Sequence, residues 1–233
     1  MSSNEPNARA ILQQKHPWNL LSDSELNYMI EHSAIRHVKK NGYIYGEGEQ
    51  PTHLIIVLSG KVKIFKTGMG GRNQIVRFIK ADQLLGYRAM FAGEKYVTTA
   101  TAFEPSIVLE VPEAVVRRLI HDNPDLSFAF IHFLSVDLGI ADARSVVLTQ
   151  SHVRGRLAES LLHLKDNFGL EADGSGTLAV TLSREDLASL SNMTTSNAIR
   201  TLAQLSKEGI LEVKGRKIRI LDEDRLQRIS KFE

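Results

Sequence analysis

Near its C-terminal end the chain reads VTLSREDLASLSNMTTSNAIRTLAQLSKEGILEVKGRKIRIL, residues 180–221, and the order of local signals there leaves few folds open. Ser183 and Asp186 stand at N-cap spacing ahead of Leu187 and Leu190, the apolar residues of a first helix. The tripeptide SNM is a tight turn, because Asn192 tolerates the left-handed conformation that glycine usually supplies. Thr194 caps a second helix whose inner face is Ala198, Leu202 and Leu205. EVKGRKIRI is a two-stranded hairpin turning at Lys214-Gly215. Two helices joined by a turn of about three or four residues, then a hairpin, make a winged helix-turn-helix.

The second helix opens with Thr194, Thr195, Ser196 and Asn197, residues that are poor in a helix interior and good at its cap. In a winged helix-turn-helix that first turn enters the major groove of duplex DNA. Thr195, Ser196 and Asn197 then reach base edges and phosphates, and the helix N-terminal N–H groups favour a phosphate. Arg200, one turn on, reaches a guanine or the backbone. The hairpin adds Lys214, Arg216, Lys217 and Arg219, whose attraction to phosphate is independent of sequence. A capped polar helix alone, or a basic hairpin alone, equally describes a solvated surface. Their succession points to DNA, with Ser183, Thr194, Thr195, Ser196, Asn197, Arg200, Lys214, Arg216 and Lys217 as the contact set.

Composition permits this reading without demanding it. The formal net charge is +2 over 233 residues, long enough for two domains, and the pI is about 8.8. There is no cysteine, which excludes disulfides, thiolate zinc sites, cysteine-ligated iron–sulfur clusters and thiol catalysis. The N-terminus lacks the apolar stretch of a signal peptide, and no run of about 18 apolar residues stands out to span a bilayer. The expectation is a cytoplasmic protein with no membrane partner. No G-x-S-x-G, H-E-x-x-H, P-loop or strand-to-helix G-x-G-x-x-G is present, and no metal site is expected, so the chain does not read as an enzyme.

Upstream, residues 17–32 read as a short helix in which Ser22 and Glu25 have capping-box spacing. From about residue 35 to 111, short apolar runs are punctuated by glycine: GYIYGEGEQP, HLIIVLSGKVKIF, QIVRFIKADQLLGY, YVTTATA. They indicate an antiparallel sandwich or roll, with GMGGR at 68–72 as a hairpin turn. Asn123-Pro124 breaks a short helix from a long one running to about Leu148. Along the long helix Ile131, Leu134, Leu138, Ala141, Ser145 and Leu148 recur at three- and four-residue steps, a seam for pairing with a second copy of the chain. The fold class is α+β. An N-terminal helix and an antiparallel sandwich or roll occupy 1–122, a long dimerisation helix 123–149 and the winged helix-turn-helix 150–233.

The succession of YGEGEQPTHLIIVLSGKVKIF, GYRAMFAGEKYVTTATA, the long helix, HVRGRLAESLLHL and TLSREDLASLSNMTTSNAIRTLAQLSKEGIL resembles the CRP/FNR superfamily of bacterial transcription regulators over nearly the whole chain. The resemblance makes residues 1–122 a β-roll sensor, a cyclic-nucleotide-binding-like jelly roll, and implies base-reading positions at Thr195 and Ser196 and the family's following arginine at Arg200. Thr195 and Ser196 depart from the familiar arginine and glutamate, so the operator should differ from the best-known half-site. It also implies an effector pocket at Gly86, Tyr87, Arg88, Val97, Thr98, Ala141 and Asp142. Cyclic-AMP binders of the family carry a glutamate where Tyr87 stands and an arginine–serine pair where Val97 and Thr98 stand, which argues against cyclic AMP. Haem-using members exist. The eight histidines, His16, His32, His37, His53, His121, His132, His152 and His163, show no spacing that singles out an axial ligand, and haem stays open.

The implied function is a homodimeric DNA-binding regulator on a palindromic operator, with RNA polymerase as a further partner and an unidentified effector in or near the β-roll. Activator and repressor both stay open. Two readings stand beside it: a ligand-sensing module whose winged helix docks a protein, and a haem-based gas or redox sensor.

Overall fold

A computed structural model describes residues 7–233, and the chain forms two compact units. The first takes in the chain up to Thr67 together with Val76–Leu138. Helix α1 (Ala8–Leu12), a 3-10 turn (Trp18–Leu20) and α2 (Asp23–Glu31) precede the strands. The helix expected over 17–32 is thus broken, because Ser22 starts α2 afresh with a complete capping box. Strands β1 (Ala34–Val38), β2 (Tyr43–Tyr45), β3 (His53–Ser59), β4 (Lys61–Thr67), β5 (Asn73–Lys80) and β6 (Leu84–Leu85) follow. Then come α3 (Tyr87–Ala92), β7 (Thr99–Ala102), β8 (Ser106–Pro112), α4 (Glu113–Asp122) and α5 (Pro124–Gln150).

Two four-stranded sheets, ordered β1-β8-β3-β6 and β2-β7-β4-β5, make the roll. β3 explains why HLIIVL is continuously apolar. Leu54, Ile56 and Leu58 pack against the helices around Trp18, Met29 and Phe130, whereas Ile55 and Val57 pack between the sheets with Val62, Ala100 and Val108. A strand buried on both faces has no polar side to alternate. Gly60 turns β3 into β4 with φ +88°, and a Cβ there would lie 2.6 Å from the Pro105 carbonyl oxygen. Only glycine fits that crossing.

The expectation about membrane-length segments needs correcting. By length and composition α5 is apolar enough to cross a bilayer. Its apolar residues have another use in the first unit, where Leu126, Ala129 and Phe130 are buried and Phe133 and Leu134 pack on the core. Ile131 and Leu138 of the expected seam are instead 57% and 63% exposed. Ala141 and Ser145 are exposed as well, and Leu148 is half-buried. Phe128, Val136, Ile140 and Val146 add exposed apolar surface off the seam.

The second unit comprises Gly68–Ile75 and Gly139–Glu233, so that α5 is shared between the units. It holds α6 (Val153–Phe168), α7 (Arg184–Leu190), α8 (Thr195–Lys207), β9 (Leu211–Lys214), β10 (Lys217–Ile220) and α9 (Glu223–Phe232). Leu157 and Leu161 of α6, Leu187 of α7, Leu202 and Leu205 of α8, Ile218 of β10 and Leu226 of α9 are all buried. The loop after α6 runs back beside the wing, where Leu178 N–H donates to Ile218 O at 2.9 Å.

Candidate nucleic-acid interface

Helix α7 begins where Ser183 Oγ accepts from Asp186 N–H at 2.9 Å and donates to the Asp186 carboxylate at 2.7 Å. Ser183 is therefore engaged in its own cap. Asn192 turns the chain with φ +49°, a conformation its short amide side chain tolerates. Arg156 of α6 fixes this turn, donating to Ser191 O at 3.1 Å and to Asn192 O at 3.2 Å. Thr194 Oγ1 then caps α8 by accepting from Asn197 N–H at 3.2 Å.

Below that cap the helix has two clear faces. Ala198, Leu202 and Leu205 are buried, as is Thr201. Thr194, Thr195, Ser196 and Arg200 are exposed and Asn197 is half-buried. The Arg200 guanidinium donates to Asn197 Oδ1 at 2.7 Å, so the two side chains present their remaining N–H groups as a pair. Ile199, absent from the residues singled out above, is 52% exposed on the same face. Its signal was a lone apolar residue off the Ala198–Leu202–Leu205 stripe, and such a group suits a thymine methyl.

The wing is less freely basic than its sequence suggests. Lys214 Nζ is 2.7 Å from Glu212 Oε1, and Arg219 is 3.6 Å from Glu212 Oε2. Lys217 Nζ donates to Glu171 at 2.9 Å, and that hydrogen bond raises the lysine's pKa. Arg216 is exposed at the tip and makes no ion pair among the described residues. Arg184, a second residue not anticipated, donates from the start of α7 to Gly215 O at 2.6 Å and steadies the wing tip.

In the first unit, Gly86 (φ +90°) turns the chain into α3. Tyr87 is buried, with its hydroxyl donating to Asp137 Oδ2, and burial followed by that carboxylate pushes the phenol well above its ordinary range. Arg88 points to Glu94 at 3.1 Å, Val97 is 47% exposed and Thr98 is half-buried. Ala141 and Asp142 are exposed on the part of α5 that belongs to the second unit. Asp137 of α5, one turn earlier, is the residue that hydrogen-bonds to both Arg77 of β5 and Tyr87 of α3. It escaped notice because nothing in its own segment marks it. The basic group beside Tyr87 is Arg77, already held by Asp137 at 2.8 Å.

Residues 35–123 match the cyclic nucleotide-binding domain family and residues 155–229 the Crp-like helix-turn-helix domain family. Among curated proteins, the chain is 26% identical over 185 residues to the CRP-like cAMP-activated global transcriptional regulator of Mycobacterium tuberculosis, covering 79% of this chain and 83% of that protein. It is 26% identical over 213 residues to the fumarate and nitrate reduction regulatory protein of Vibrio cholerae, covering 90% of this chain and 84% of that protein. The solved structure of FixK2 from Bradyrhizobium japonicum shares the fold with a TM-score of 0.76 at 24% identity, over 84% of this chain and 96% of that one.

Proposed function

The chain belongs to the CRP/FNR superfamily of transcription regulators, and from that premise we propose that it works as a homodimer on a palindromic DNA operator. One observation carries the reading: α8 buries Ala198, Leu202 and Leu205 while offering water a capped tip of Thr195, Ser196, Ile199 and Arg200. A solvated surface helix has no need of a rigidly held turn before it, and here Arg156 holds that turn by two carbonyls. Pairing through α5 covers Ile131 and Leu138 and places two recognition helices about 34 Å apart, one per major groove. RNA polymerase is the natural further partner of such a dimer. An effector acting near the β-roll shifts the population of DNA-binding-competent dimers, and it is not cyclic AMP.

The test is a gel shift on duplexes selected by the wild-type protein from a random pool. Arg200→Ala loses the preference for the selected sequence over a scrambled one while sedimenting as the same dimer. A variant that keeps the preference, or a wild-type protein that sediments as a monomer, overturns the reading. Steep weakening with salt distinguishes DNA binding from docking of a protein on the same helix.

A further inference from the structure

Three polar side chains converge in the first unit from β5, α3 and α5. Asp137 Oδ2 accepts from the Arg77 guanidinium at 2.8 Å and, on the same oxygen, from the Tyr87 hydroxyl. Arg77 and Asp137 keep 31% and 27% of their side-chain surface, so the cluster lies within reach of solvent ions. Burial works against the Arg77 charge, but the Asp137 hydrogen bond and charge outweigh it and raise its pKa. Burial likewise keeps the Tyr87 phenol protonated and therefore a donor.

A guanidinium and a phenol aimed at one point are what a protein uses to hold the carboxylate or phosphate of a ligand. Here they lie inside the segment that matches a nucleotide-binding family, yet the anion they hold belongs to the chain. We infer that Asp137 is a built-in anion, occupying the Arg77–Tyr87 pair in place of an anionic ligand and clamping α5 to the β-roll with none bound. An intramolecular carboxylate competes at an effective concentration of about millimolar or higher, so a free anion has little to gain there. The inference deepens the regulatory reading: an effector of this protein acts without an anionic group at Arg77, or acts elsewhere.

Asp137→Ala vacates the pair, and thermal melting with added formate reads the consequence. The variant is expected to melt a few degrees below wild type, and about 50 mM formate, above the millimolar effective-concentration scale, restores part of the loss. Formate should leave wild type and the Asp137→Ala/Arg77→Met double variant unmoved. Equal melting of Asp137→Ala and wild type, or equal formate shifts in all three proteins, overturns the inference. Titration of wild type with cyclic AMP and with inorganic phosphate serves even if the variant does not fold. No saturable heat is expected, and binding of either that Arg77→Met abolishes refutes the built-in anion. None of these measurements involves DNA, so their failure leaves the reading of α8 untouched.

Discussion

Arg216→Ala should cost this protein more DNA affinity than Lys217→Ala, although the two residues are neighbours in the same basic hairpin. Lys217 already sits 2.9 Å from Glu171, and Lys214 sits 2.7 Å from Glu212. A cation that is paired must loosen its carboxylate before it can neutralise a phosphate. Arg216 makes no ion pair among the described residues and gives up only counterions. Each phosphate contact on duplex DNA contributes about 0.9 to the slope of log affinity against log salt. Losing Arg216 from both copies of a dimer therefore flattens the slope by about 1.8, roughly fivefold in affinity per contact near 0.15 M salt and about thirtyfold for two. Lys217→Ala should flatten it by less than about half as much. Fluorescence anisotropy on a labelled mixed-sequence duplex, titrated at several salt concentrations, reads both slopes without knowledge of the operator. An unchanged slope for Arg216→Ala, or an equal loss for Lys217→Ala, would show that the ion pairs do not decide which wing cations meet DNA.

Two further outcomes concern stability. Ser22→Ala removes a capping box in which Ser22 Oγ accepts from Glu25 N–H at 3.3 Å and Glu25 Oε2 accepts from Ser22 N–H at 2.7 Å, and should cost about 1 kcal/mol near neutral pH. Ser22's hydroxyl and backbone N–H hold the Glu25 carboxyl below its ordinary value of 4.5. A depressed pKa stabilises the fold above the unfolded value and loses that effect as pH falls through the folded one. The gap between wild type and variant should thus narrow below pH 4.5, and urea titrations giving the same gap in neutral and strongly acidic buffer would refute the linkage. Leu202→Ala, at a side chain 2% exposed, should cost about 2–5 kcal/mol in the same assay, whereas Ser196→Ala at the exposed tip should stay within about 0.5 kcal/mol. A Leu202 cost near that of Ser196 would mean that α8 does not bury the face assigned to it.

The winged helix was legible because its signals are local. A cap reaches three residues, as Ser183 to Asp186 and Thr194 to Asn197 do, and a left-handed turn needs one suitable residue, Asn192. The strands were legible for a similar reason, since HLIIVL and KVKIF show burial within a few residues. Helix α5 was half legible. Periodicity aligned Ile131, Leu134 and Leu138, but it could not say that Leu134 packs into its own unit while Ile131 and Leu138 stay open.

What the chain determined unaided is therefore the kind and order of its elements: a roll of short strands, a long apolar helix and a capped helix pair with a wing. The partners of its charges were decided only by the tertiary structure. Arg77 meets Asp137 across 60 residues, Tyr87 meets the same carboxylate across 50, and Lys217 meets Glu171 across 46. A hydrogen bond of about 3 Å is fixed by where the folded backbone brings two side chains, and no propensity acting over one turn or one pleat carries that distance.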